Sequence, residues 1–218
     1  WVSSAWAEIF EKPTEPGAGQ RFMEAYRQYM KKGARRELPP LRGEDLAQTI
    51  RAAGQSSASL DGYDVRDLKC VQQWAPGLLE DVATVYNLVE KHAVWPTSMV
   101  KACITLIEKV RGQTKPLGMR PIMVLSAWYR LWGAARYAST ADWQEQWVPA
   151  ESYASRSKKS AVDLALKVAQ DQEKARAEGK WSGGISLDLE KAFDNIDREV
   201  MEKVLEEREL MPQVERGI

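Results

Sequence analysis

The segment Ile185-Ser-Leu-Asp-Leu-Glu-Lys-Ala-Phe-Asp-Asn-Ile-Asp197 constrains this chain more than any other stretch. Ile185, Leu187 and Leu189 alternate with Ser186, Asp188 and Glu190, and a period of two is the pattern of a strand with one apolar and one polar face. Such a strand needs partner strands at its edges, which this chain is expected to lack, leaving open edges and an apolar face prone to association. Asp188 then stands on the polar face near the end of a rigid element. A carboxylate so placed is the hard oxygen ligand that Mg²⁺ favours, and it suits metal-assisted phosphoryl transfer. Asp194 and Asp197, past the strand end, read as turn and helix-capping residues.

The remaining composition points the same way. His92 is the sole histidine, which excludes His-rich zinc centres and leaves any His-dependent triad one residue to use. Cys70 and Cys103 lie far apart, matching neither a close metal-ligand pair nor a disulfide framework, so a reducing, intracellular setting is expected. No run approaches the ~20 apolar residues that span a bilayer. The chain opens on Trp1 with no basic-then-apolar leader after it, and reads as a trimmed or broken reading frame whose natural start is elsewhere.

Lysine plus arginine balance aspartate plus glutamate at 31 each, which argues against a uniformly basic nucleic-acid binder. The distribution is uneven. Lys101, Lys109, Arg111, Lys115, Arg120, Arg130 and Arg136 face only Glu108 in their stretch, a surplus suited to phosphates. From Leu187 onward the sign reverses through Asp188, Glu190, Asp194, Asp197 and a Glu-rich stretch to Glu215.

Local patterns supply the elements. Turn-formers around Pro13, Pro16-Gly17 and Pro39-Pro40 flank a short helix near Arg21 to Lys32, a loosely tied lead-in, and a second short helix runs from Glu44 to Ala53. Asp61-Gly62 marks a tight turn. Pro76-Gly77 opens an amphipathic helix with Glu80 and Asp81 in its first turn and Leu78, Val82, Val85 and Val89 at spacings of three and four. Ala102 to Val110 and Pro121 to Leu125 read as the strands of a hairpin, followed by a helix over Ala127 to Tyr137 in which Trp128 and Trp132 are core residues. Ser157 or Ser160 caps a helix reaching about Glu178, Gly183-Gly184 is a turn, and a last helix fits Asp197 to about Leu210.

Asp188, two variable residues, then Lys191-Ala-Phe-Asp194 resemble the first catalytic motif of reverse transcriptases of the non-LTR retrotransposon and group II intron maturase type. The resemblance implies that Asp188 binds metal, that the backbone carbonyl of Leu189 is a secondary metal ligand, and that Phe193 screens the sugar 2′-position. Upstream segments follow in the family's order. Ser59-Leu-Asp-Gly62 resembles a Pro-Gly-x-Asp-Gly turn, with Ser59 in place of glycine. Trp95-Pro-Thr-Ser-Met-Val-Lys101 resembles the segment leading into the first fingers strand, with Met99 where tryptophan is usual. Met119-Arg-Pro-Ile122 resembles Tyr-Arg-Pro-Ile, whose arginine reaches the phosphates of the incoming nucleotide; this implies that role for Arg120, with Lys109 and Lys115 as rival partners beside it. Ser152-Tyr-Ala-Ser-Arg-Ser-Lys-Lys-Ser160 resembles Gln-x-Gly-Phe-Arg-x-Gly-Arg-Ser, which implies nucleic-acid contacts at Arg156, Lys159 and Ser160.

The resemblance runs from Ser57 to Leu205 and implies a helix-rich α+β fold, the fingers and first palm strand of an incomplete right-hand polymerase. It divides the chain into a lead-in over 1–56, a fingers-like region over 57–182 and the start of a palm over 183–218. The implied partners are an RNA template, a DNA primer and deoxynucleoside triphosphates, with two Mg²⁺ ions in the complete site. The family's aromatic-x-Asp-Asp hairpin does not follow Asp194, so activity is not expected of this chain alone. Two alternatives are a non-catalytic nucleic-acid-binding remnant and a helical structural or interaction protein.

Overall fold

A computed structural model of the chain describes residues 2–12, 15–31, 36–189, 192 and 194–208. In chain order the elements are α1 (Val2–Phe10), α2 (Ala18–Tyr26), a 3₁₀ turn (Arg27–Tyr29), α3 (Gly43–Ala52), α4 (Val65–Trp74), α5 (Leu78–His92) and α6 (Thr97–Val100). Then come β1 (Ala102–Glu108), a 3₁₀ turn (Pro116–Gly118), β2 (Met119–Leu125), α7 (Ala127–Trp147), α8 (Ala161–Ala177) and α9 (Arg198–Glu207). The architecture is helix-rich α+β, and the sheet among the described residues is one antiparallel pair, β1 with β2.

The main core forms where α3, α4, α5 and α7 bring their apolar stripes together. Leu46 and Ile50 of α3, Leu68 of α4, Leu79, Ala83 and Tyr86 of α5, and Leu131, Trp132 and Ala135 of α7 are all buried in it. Removing a side chain such as Leu46 or Ile50 from water contributes roughly 1.5–3 kcal/mol. The Tyr86 hydroxyl donates to the Trp128 carbonyl at 2.6 Å, and burial pushes its pKa up from the ordinary phenol value. Trp95 stacks among Tyr86, Tyr129 and Trp132, fixing the chain as it leaves α5 for the hairpin.

Helix α4 has no counterpart in the sequence reading, although its start is well signalled. Asp64 caps Arg66 and Asp67, the Asp67 carboxylate returns the bond to the Asp64 amide, and Val65, Leu68 and Val71 supply the stripe. The lead-in is tied more firmly than expected. Asn87 of α5 accepts from the Leu41 amide and donates to the Leu41 carbonyl, both at 2.8 Å, serving as a surrogate strand partner. Helix α2 packs on α9, joining the start of the chain to its end. Gly19 permits that approach, because a Cβ there would lie 2.7 Å from the Glu199 carbonyl oxygen. The Gly17 amide also donates to the Glu199 carboxylate at 3.0 Å, and Arg27 pairs with Glu207 at 3.1 Å.

The expected strand over Ile185 to Leu189 does not form. These residues belong to no sheet, and Ile185, Leu187 and Leu189 are 90%, 86% and 74% exposed. The physical reason is the one that made the alternation informative: a strand's backbone groups and apolar face need partners, and among the described residues β1 and β2 pair with each other and with no third strand. Helix α7 runs ten residues past the expected end at Tyr137, to Trp147. There Trp143 and Trp147 pack with Leu38 and Leu205 in a second, smaller cluster. Helix α8 is exposed along almost its whole length, so the face carrying Leu164 and Val168 meets solvent.

Candidate functional site

The hairpin follows directly from its sequence. Pro96 starts the single turn of α6, which delivers the chain to β1, and β2 returns in a register that sets Ile107 opposite Arg120 and Thr105 opposite Ile122. Arg120 therefore shares a face with Thr105, Ile107 and Ile122 and is exposed. The connecting loop is ordered by its own polar groups. The Gly112 amide, at φ 83°, donates to the Glu108 carboxylate at 3.0 Å, and the Gln113 side-chain carbonyl accepts from the Lys115 amide at 3.1 Å. Lys101, Lys109, Arg111, Lys115 and Arg120 have no ion-pair partner among the described residues, so the hairpin presents a concentration of free positive charge.

The hairpin base is anchored. The Ser59 hydroxyl donates to the Val124 carbonyl at 2.6 Å, and Arg130 donates to the Ser57 carbonyl at 2.7 Å, which binds the 53–64 loop across β2. Gly62 turns that loop at φ 77°, its amide bonded to the Ser59 carbonyl at 3.1 Å. Arg130 and Arg136 thus leave the phosphate-facing set. Arg136 is buried, its Nε and Nη2 each 2.5 Å from an oxygen of the buried Glu90 and its Nη1 2.8 Å from the Pro39 carbonyl. Trp132 completes the network by donating Nε1 to Glu90 at 2.7 Å.

The loop from 148 to 160 is built from the inside. Arg156, largely buried, forms a forked pair with Glu145 of α7 and donates Nη1 to the carbonyls of Pro149 and Ser152 at 2.9 and 3.2 Å. That guanidinium holds the Glu145 carboxyl below the usual carboxylate range, and the carboxylate raises Arg156 in return. Lys159 donates to the Ala150 carbonyl at 2.5 Å and lies 4.9 Å from the centre of the Tyr153 ring. The Tyr137 hydroxyl reaches the Ser155 carbonyl at 3.2 Å. Ser160 caps α8 by accepting from the Asp163 amide and donates its hydroxyl to the Asp163 carboxylate at 2.7 Å, which lowers the Asp163 pKa. Ser155 and Lys158 take left-handed backbone at φ 55° and 59°.

Asp188 is exposed and, like Leu189, lies outside any sheet. Phe193 lies outside the described residues. Asp197 is the N-cap of α9, accepting from the amides of Glu199 and Val200 at 2.9 and 3.2 Å, which matches its expected capping role. Among the described residues no group of three or more His, Cys, Asp or Glu side chains converges as a metal site. A pair of Mg²⁺ ions requires several hard oxygens from more than one element, and the donors among the described residues at this position, one exposed carboxylate and a neighbouring carbonyl, do not fit that requirement. No chemical step is assigned to metal at this position.

The chain matches no protein-family model and no curated protein. Among the described residues no helix is long and apolar enough to cross a membrane.

Three features escaped the sequence reading. The Glu90–Arg136 pair joins residues 46 apart with no local signal. The Glu145–Arg156 fork lies beyond the expected end of α7 at Tyr137, on the turns of the helix that the packing of Trp143 and Trp147 adds. Lys158 stands where the resembled motif has glycine, and its positive φ is the conformation a glycine there would favour.

Proposed function

We propose that the chain carries the fingers region and first catalytic aspartate of an RNA-directed DNA polymerase of the non-LTR retrotransposon type. In this reading it holds template-primer nucleic acid without extending a primer by itself. The observation that carries the reading is the set of cations in and beside the β1–β2 hairpin, Lys101, Lys109, Arg111, Lys115 and Arg120, which have no ion-pair partner among the described residues, on a support anchored at its base. Such charge favours phosphate by releasing condensed counterions. The left-handed backbone at Lys158, where the family motif has glycine, supports the alignment of the 152–160 segment. In the complete polymerase a primer 3′-hydroxyl would attack the α-phosphate of a deoxynucleotide and displace pyrophosphate. Here Arg120 orients phosphate and the loop at 148–160 lies along nucleic acid.

A second reading, a helical interaction protein, is favoured by the exposed apolar side chains of Val162, Leu166, Trp181, Ile185 and Leu187. Titration of a labelled RNA–DNA template-primer duplex against the chain and its Asp188→Ala variant, with and without Mg²⁺, separates the readings. Salt-sensitive binding by both proteins supports the nucleic-acid reading, and absence of binding at low salt overturns it in favour of the interaction protein.

A further inference from the structure

The loop at 148–160 carries Arg156, Lys158 and Lys159, and among the described residues only Lys158 makes no side-chain bond to the loop or its neighbours. Arg156 spends its donors on Glu145, Pro149 and Ser152, and Lys159 spends its ammonium on Ala150 and the Tyr153 ring. Lys158 is exposed and has no ion-pair or hydrogen-bond partner for its ammonium among the described residues. It is also held at φ 59°, a conformation that costs a side chain free energy and persists only when surrounding bonds impose it. Those bonds come from either side: the Arg156 fork and the Tyr137–Ser155 bond before it, and the Ser160–Asp163 cap after it.

We infer that Arg156 is the positioning residue of this loop and that Lys158 is its contact to nucleic-acid phosphate. The inference rests on the nucleic-acid reading above and departs from the assignment of Arg156, Lys159 and Ser160 as direct contacts. Glu145 is the discriminating neighbour. If Arg156 touched phosphate, removing the Glu145 charge would release the guanidinium and strengthen polyanion binding. With Arg156 as an internal staple, the same change loosens the loop and weakens binding, against the electrostatic sign.

The test measures binding of an RNA–DNA template-primer duplex across a salt series, together with amide exchange over 148–160, for the full chain and four variants. Lys158→Ala is expected to reduce the salt slope by about one and leave loop protection in place. Glu145→Gln and Arg156→Gln are expected to lose loop protection and bind severalfold more weakly. Arg156→Lys is expected to resemble Arg156→Gln, since a point charge cannot reproduce the planar fork. Stronger binding by Glu145→Gln, or near-full binding by Arg156→Lys, would overturn the inference. So would loop protection unchanged in Glu145→Gln, even if the unaltered chain bound no duplex, a result that would separately defeat the nucleic-acid reading. An unchanged salt slope in Lys158→Ala would remove Lys158 as the contact.

Discussion

Replacing Arg136 by methionine removes the positive half of an ion pair in which the arginine and glutamate side chains are only 5% and 9% exposed. The substitution keeps an unbranched apolar stem on α7 but deletes three bonds, two to Glu90 and one to the Pro39 carbonyl. Glu90 then keeps Trp132 Nε1 as its remaining bond donor in this network, with its charge uncompensated. Breaking a buried pair from one side costs about 3–5 kcal/mol, chiefly because the surviving charge stays desolvated. Against a typical domain stability of about 5–15 kcal/mol this is a large fraction. For a chain of this size it corresponds to a fall in Tm of about 6–20 °C. Urea unfolding followed by tryptophan fluorescence measures it, with Trp132 inside the network as a reporter. The double variant Glu90→Leu/Arg136→Met should recover about 1–3 kcal/mol of the loss, since it leaves no unpaired charge. A cost below about 1 kcal/mol for Arg136→Met, or a double variant no more stable than the single, would refute the reasoning.

Tyr86→Phe is expected to cost about 1 kcal/mol in the same unfolding assay, because it removes one hydrogen bond, to the Trp128 carbonyl, and leaves the ring in place. Lys109→Ala, Lys115→Ala and Arg120→Ala should each lower the slope of log affinity against log salt by about one if the hairpin faces phosphate, and slopes equal to the unaltered chain's would dismiss it. The Glu145 carboxyl titrates below the ordinary value of 4.5, so the stabilisation of the 148–160 loop is present above that value and is lost as pH falls through the depressed folded pKa. Acid proteolysis should therefore open this loop progressively below about pH 4.5, and Glu145→Gln should remove the Glu145 share of that pH dependence, leaving the share of the Asp163 cap. Primer extension on an RNA template with Mg²⁺ or Mn²⁺ should yield nothing from this chain, and extension abolished by Asp188→Ala would show a carboxylate cluster that the described residues do not bring together.

The elements legible in the sequence are those whose causes are local. Pro76-Gly77 with Glu80 and Asp81 marks α5, whose charges and stripe repeat within a few residues, and the structure begins it at Leu78. Asp197 and Ser160 cap α9 and α8 through bonds to amides two or three positions away. The hairpin is equally local, its strands joined by a loop with turn residues at Gly112 and Pro116-Gly118. Periodicity failed where the outcome depended on partners. Ile185 to Leu189 has the alternation of a strand, but alternation describes a face and does not supply the neighbouring backbone that must pair with it.

The candidate site divides along the same line. The sequence by itself placed Arg120 just ahead of a strand expected over Pro121 to Leu125 and in a basic stretch, because charge and strand pattern are both short-range, and the structure starts that strand at Met119 and so includes Arg120. Whether a cation is free for a ligand was decided by tertiary packing. Arg136 belongs to the same basic stretch as Lys109 and Arg120, yet α7 turns it toward Glu90 on α5 and buries it. Arg156 matches a motif arginine in type, but the far end of α7 brings Glu145 to it and turns its donors inward, leaving Lys158 outside. An arginine on an exposed hairpin and an arginine opposite a buried glutamate have the same sequence signal. What separates them is the cost of leaving a buried carboxylate unpaired, and only the packed helices set that cost.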